Sequence, residues 1–157
     1  MTYYERLGSM HLDGSQIFAT PEDMAAEDEI SSAVEAAWDC TLKRFGALAP
    51  VDWFAVRHDR VVGVLELKTR THSIAEYSTV FLNVRKWLAL TLAACGLGVP
   101  AIFVVRFTDG VRWCSVREVD ASQIRIGGCS RVVKAANDIE PVIEVPVTLM
   151  RSLGVRA

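Results

Sequence analysis

Two kinds of apolar spacing alternate along the chain. From Ala26 onward Ile30, Ala33, Val34, Ala37, Trp38 and Phe45 recur every three or four residues, the stripe of an amphipathic helix. Thr20 suits an N-cap, Pro21 the first helical position and Glu22 and Asp23 the first turn, and Gly46 is a stop, so a helix is predicted over about 22–45. The period then changes. Val51–Arg57 and Val61–Lys68, separated by His58-Asp59-Arg60, read as a hairpin whose second strand, apolar on both faces until Glu66 and Lys68, is central and buried. A second helix is predicted over about 76–95, with Val80, Val84, Trp87, Leu88, Thr91 and Cys95 as its buried stripe. Ala101–Phe107, Thr108-Asp109-Gly110 and Val111–Val116 form another hairpin.

The order α-β-β-α-β-β predicts one domain of α/β (α+β) class, a mixed sheet flanked by helices. Residues 1–20 read as an N-terminal arm with a short strand at Gln16–Phe18, residues 21–120 as the core, and 121–157 as an extension packed on or near it. That extension is expected to be irregular, apart from a turn at Gly127-Gly128 and a short strand at 142–145.

Composition narrows the class. The 157 residues are 51% apolar and 23% charged, which excludes a collagen-like, disulfide-scaffold or wholly disordered chain. Trp87–Val105 carries no formal charge, but Gly96, Gly98 and Pro100 break it into helix, turn and strand rather than a membrane span. The first residues lack a basic segment followed by an apolar one, so a cytoplasmic protein is expected. Cys40, Cys95, Cys114 and Cys129 are too far apart for a zinc motif and are expected to be reduced core residues. Net charge is −2, yet residues 1–66 hold 12 acids against 5 Lys/Arg and residues 67–157 hold 7 against 12. The first half suits metal ions and the second suits phosphate.

The first hairpin supplies the chemistry. With His58, Asp59 and Arg60 as its loop, paired residues have numbers summing to 118, so Asp52 faces Glu66. Cross-strand partners lie about 5 Å apart on one side of a sheet, and Lys68, two positions beyond Glu66, shares that side. Two carboxylates side by side in a buried strand repel each other and are costly to desolvate. A divalent cation resolves both problems. Oxygen-only ligands favour magnesium, with manganese as a substitute, over zinc. A lysine beside such an ion can position a water or stabilise charge on phosphorus, which points to metal-dependent phosphodiester hydrolysis.

Pro50-Val51-Asp52, a gap of thirteen residues, and Glu66-Leu67-Lys68 resemble the motif of the PD-(D/E)XK nuclease superfamily. This group of restriction endonucleases, phage exonucleases and junction resolvases has an α-β-β-β-α-β core. The resemblance covers about residues 22–116. It implies that Asp52 and Glu66 are metal ligands, that Lys68 is the catalytic lysine, and that a first-helix acid, Glu27 or Glu29, joins the metal. At about 100° per residue Glu27 lies within roughly 20–40° of the apolar stripe and Glu29 more than ~100° away, which favours Glu27. The resemblance also implies a catalytic role for Lys86, placed like the superfamily's second-helix basic residue, and a third strand, either the one from Ala101 or the lead-in near Ile17.

The implied function is magnesium-dependent cleavage of DNA in recombination, repair or phage DNA processing, by a homodimer when both strands are cut. Arg57, Arg60, Arg70, Tyr77 and Arg106 are the candidate nucleic-acid contacts, with Arg112, Arg125, Arg131 and Lys134 on the same basic face. The alternative is a non-catalytic nucleic-acid-binding or assembly module that keeps the fold.

Overall fold

The computed structural model of the chain describes residues 21–46, 49–127 and 140–154. The first helix, α1, is Pro21–Trp38, with Pro21 at its first position as the start signature predicts. It ends seven residues before the expected boundary, because Asp39 turns into the left-handed region at φ 50°. The Arg57 side chain donates to the last carbonyls, to Asp39 O at 2.9 Å and to Trp38 O. The Glu35 carboxylate accepts the Leu42 N–H at 2.7 Å. These contacts release Thr41–Arg44 to form strand β1. β1 is the third strand of the core, which sequence reading had placed either after Ala101 or near Ile17. The latter position lies outside the described residues.

Strands β2 (Trp53–Arg57) and β3 (Arg60–Thr69) form the expected hairpin around a different turn. His58 and Asp59 alone make it, with φ of 48° and 58°, the paired left-handed conformation that matches strand twist. Arg57 accordingly faces Arg60 and Val56 faces Val61. A bulge then takes up Val62, so that Ala55 faces Gly63, Phe54 faces Val64 and Trp53 faces Leu65. From Ala55 backward the numbers sum to 118, which carries Asp52 toward Glu66.

Where one helix was expected over 76–95, strand β4 (Thr79–Asn83) comes first and α2 (Val84–Leu97) follows. Val80 and Val84 fit a helical stripe by spacing, but Thr79, Val80 and Phe81 favour a pleated surface. α2 stops at Gly98, whose φ of 66° and N–H bond to Ala94 O form a left-handed cap. The expected inner stripe is also rotated: Leu90 is buried, while Leu88 is 47% exposed and Cys95 is exposed. Cys114 alone of the described cysteines is fully inside.

Strands β5 (Ala101–Phe107) and β6 (Gly110–Ser115) complete a sheet ordered β1-β2-β3-β5-β6-β9, where β9 is Arg151–Ser152. β3 and β5 are parallel and joined through β4 and α2, and the other neighbours are antiparallel. This realises the α-β-β-β-α-β order in one mixed α+β domain. The tail is more regular than expected. β7 (Ile124–Gly127) and β8 (Glu140–Pro146) join β4 in a second sheet, ordered β4-β8-β7. Residues Ile30 and Val34 of α1 pack on Leu65, Leu67, Ile102, Val104 and Trp113, one face of the large sheet. On the other face, Val64, Phe103 and Val105 meet Leu90 of α2 and Val80, Leu82, Ile143 and Val145 of the small sheet. No described helix is long and apolar enough to cross a membrane.

Candidate active site

Along β3 the odd residues Leu65 and Leu67 enter the α1 core, while Val64 enters the α2 core. Glu66 therefore points into the α2 side, where it is only 3% exposed. Asp52 sits just before β2, its carbonyl accepting the Phe45 N–H at 2.9 Å. Trp53 next to it belongs to the α1 core, so strand alternation sends Asp52 to the α2 side, toward Glu66. The third and fourth members are lysines. Lys68 Nζ lies 3.8 Å from Glu66 Oε1. Lys86, in the first turn of α2, places Nζ 2.5 Å from Asp52 Oδ1 and 3.5 Å from Glu66 Oε2.

Electrostatics divides the two acids. Burial pushes the Glu66 carboxyl up to about 7; the adjacent Asp52 adds to this, and Lys68 and Lys86 oppose it. Burial also acts upward on Asp52, but a hydrogen bond from Glu66 and the charge of Lys86 outweigh it and hold Asp52 below the usual carboxylate range. Lys86 shows the converse balance. Burial alone would lower its ammonium, and the facing Glu66 and Asp52 raise it. Without a metal, the pair thus favours one proton held on Glu66 and shared with Asp52.

The donor set suits a hard divalent ion. Glu66 Oε2 is buried and accepts no hydrogen bond, although Lys86 stands within ion-pair distance. A buried carboxylate oxygen left in that state calls for a stronger cation. Asp52 stays 36% exposed on its side chain, so the pair is open to solvent on one side. No cluster of three or more Asp, Glu, His or Cys able to hold a metal occurs among the described residues. Two carboxylates with the remaining positions left to water and phosphate match the habit of magnesium.

Glu27 is not brought to this group. It pairs with Arg44 at 3.0 Å; Arg44 faces Trp53 across β1 and β2, and its guanidinium lies 4.2 Å from the centre of that ring. Trp53 is on the α1 side, so Glu27 lies across the sheet from Glu66. Glu29 is more exposed than Glu27, as the helical angle predicts, and pairs with Arg106. Lys86 joins the site because α2 is turned so that it shares a face with buried Leu90, four residues on; the stripe read from the sequence had pointed Leu88 inward.

Several candidate nucleic-acid contacts are engaged with protein. Arg57 caps α1, Arg106 binds Glu29, and Arg70 donates to Thr69 O at 3.2 Å and Phe81 O at 3.4 Å. Arg60 is exposed at the hairpin tip, about 20 Å from Glu66 at ~3.3 Å per strand residue. Tyr77 is 56% exposed and stands edge-on to His72, which in turn meets Phe107. It follows the Lys68 end of β3 in the chain. Arg131 and Lys134 lie outside the described residues. The capping and pairing roles of Arg57, Glu35 and Arg44 were missed from sequence, because no local pattern marks an arginine that reaches another element.

A family model described as "Phage putative PDDEXK endonuclease" matches residues 15–153. In three dimensions the chain is similar to Hjc of Archaeoglobus fulgidus, a Holliday junction resolvase from an archaeal hyperthermophile. The TM-score is 0.57 and the identity 14%, over 84% of this chain and 92% of that one. At that identity the likeness is one of fold. No curated protein sequence matches significantly.

Proposed function

The chain belongs to the phage PDDEXK endonuclease family, whose model spans residues 15–153 of its 157. On that premise we propose that it is a magnesium-dependent nuclease hydrolysing phosphodiester bonds in DNA, with manganese able to substitute, in phage DNA processing, recombination or repair. The observation that carries the metal reading is the buried, unsatisfied oxygen of Glu66 beside Asp52. Asp52 and Glu66 would hold the ion. When bound, a divalent ion polarises a phosphoryl oxygen and acidifies a water.

The chain's own residues do the rest. Asp52, partly exposed, leaves the group open to an incoming phosphate. Lys68 keeps its ammonium 3.8 Å from Glu66 Oε1 and 29% exposed, a position from which it can orient the attacking water and meet charge developing on the phosphoryl oxygens. Lys86 adds a second positive charge from the α2 side. Exposed Tyr77 offers a ring for an unpaired base. The described residues contain one such carboxylate pair, so cutting both strands of a duplex would take two copies of the chain.

The test is incubation of the purified protein with linear duplex, single-stranded, circular and branched DNA, and with RNA, in Mg²⁺, Mn²⁺ or EDTA. Cleavage of DNA with either metal and none in EDTA is expected, and an endonuclease cuts the circle. DNA bound but never cut under any metal condition favours the non-catalytic binding module instead.

A further inference from the structure

We propose that Lys86 is the resident counterion of the carboxylate pair in the metal-free protein: its ammonium occupies the position between Asp52 and Glu66 that a divalent ion must take, and the ion enters by displacing it. This rests on the metal reading of the site above.

The two lysines at the site are not equivalent. Lys68 approaches one oxygen of one acid, at 3.8 Å. Lys86 contacts both acids, at 2.5 Å from Asp52 Oδ1 and 3.5 Å from Glu66 Oε2. Glu66 Oε2 is the oxygen with no hydrogen-bond partner, so the space Lys86 borders is the one a bridging cation needs. Lys86 is also the more enclosed of the two, with 18% of its side chain exposed against 29% for Lys68.

Charge counting gives the direction of exchange. Once the incoming ion has displaced the proton held on Glu66, two ionised carboxylates and two ammonium groups sum to zero, so the divalent ion leaves the cluster positive by two. The repulsion falls hardest on the cation nearest the shared oxygens, which is Lys86. Its four-carbon stem lets the head group swing away while the stem stays packed. The backbone beneath need not move, since α2 is held by Leu90 and by the small sheet. Arg85 beside it points to Glu140, at 3.9 Å. The site therefore exchanges one internal cation for an external one, and ion affinity is set by that competition.

Lys86→Met keeps the apolar stem and removes the charge. Isothermal titration with Mn²⁺ alone, without nucleic acid, should show affinity about tenfold tighter than wild type, the size of one close charge interaction. Melting in EDTA should move to lower temperature, and the rise on adding Mn²⁺ should grow. Lys86→Arg, which keeps the charge, should not bind Mn²⁺ more tightly. Affinity that is unchanged or weaker in Lys86→Met overturns the inference while leaving the nuclease reading in place. Absence of Mn²⁺ binding in wild type overturns both. A second measurement needs no variant: the ¹⁵Nζ resonance of Lys86 in wild type should shift, and its protons exchange faster with water, as Mg²⁺ is added. An unmoved resonance at saturating Mg²⁺ also overturns the inference.

Discussion

The two faces of the large sheet use the same charged residue types to opposite ends. On the α1 face exposed or half-exposed acids are met by arginines: Arg44 holds Glu27 at 3.0 Å and Asp28 at 3.5 Å, and Arg106 holds Glu29. These pairs are partly or largely exposed at the rim of an apolar core and tie the helix to the strands. On the α2 face two acids converge, one of them almost completely buried; Lys86 is shared between them and Lys68 stands beside Glu66. A guanidinium has donors enough to meet each carboxylate that faces it, and here, among the described residues, it leaves no buried acid oxygen without a partner. Two carboxylates competing for compact ammonium groups, with one oxygen unsatisfied, form a site with capacity for another cation. The comparison locates chemistry by crowding and burial of charge, not by the number of charged residues.

The sharpest way to break this contrast is Glu66→Gln, which is nearly isosteric and removes the buried charge. Cleavage should fall to background while the fold is kept. The metal-free melting temperature should hold or rise, because the acids no longer crowd each other. A large drop in melting temperature in EDTA would make Glu66 a structural residue. Next is Lys68→Ala, expected to slow single-turnover cleavage at saturating DNA by about a hundredfold or more, the scale of losing one preorganised charge-stabilising group, with metal affinity kept or increased. A modest, salt-dependent loss of DNA binding at unchanged turnover would move Lys68 to the surface-charge class exemplified by the α1 face.

The pH dependence sharpens the contrast further. Glu66 has its folded value raised from 4.5 to about 7. A raised acid contributes stability that is fully present below 4.5 and lost as pH rises through about 7, so the metal-free protein should lose on the order of a few kcal/mol over that window. Asp52 is shifted the opposite way and lends stability above its ordinary value of 3.8, outside the window. Urea unfolding in EDTA at pH 4.5 to 7.5 measures the slope, and Glu66→Gln should flatten it. An equal slope in that variant would place the titrating group elsewhere.

How far these features were legible in the chain follows from the range of the interactions that set them. Asp52 facing Glu66 came from counting across a hairpin, and the count held although its premise did not: a two-residue turn plus the bulge at Val62 gives the same sum as a three-residue loop. The end of α1 was not legible, since Arg57, about twenty residues on, caps it. β4 was hidden because Val80 and Val84 satisfy a helical period that the backbone does not follow. The angle that separates Glu27 from Glu29 was read correctly within the helix. Which face of the sheet that helix covers is a tertiary fact, and it takes Glu27 away from Glu66.

The smallest effects belong to the α1 face, and Glu27 is the decisive test there. Held by Arg44, with 31% of its side chain exposed, Glu27 lies on the wrong side of the sheet to share a metal with Asp52. Glu27→Gln should therefore cost no more than about 1 kcal/mol of stability, the usual worth of an exposed ion pair, and lower cleavage by less than about tenfold. Glu29→Gln, on the more exposed pair with Arg106, should do less still, with both stability losses shrinking at high salt as exposed charges are screened. Metal titration of Glu27→Gln separates the two faces: Mn²⁺ affinity should match wild type, whereas Glu66→Gln should bind the ion far more weakly. If Glu27→Gln loses metal and cleavage together, on the scale of Glu66→Gln, then the first helix reaches around the sheet edge when the ion is bound and the separation of the two faces fails.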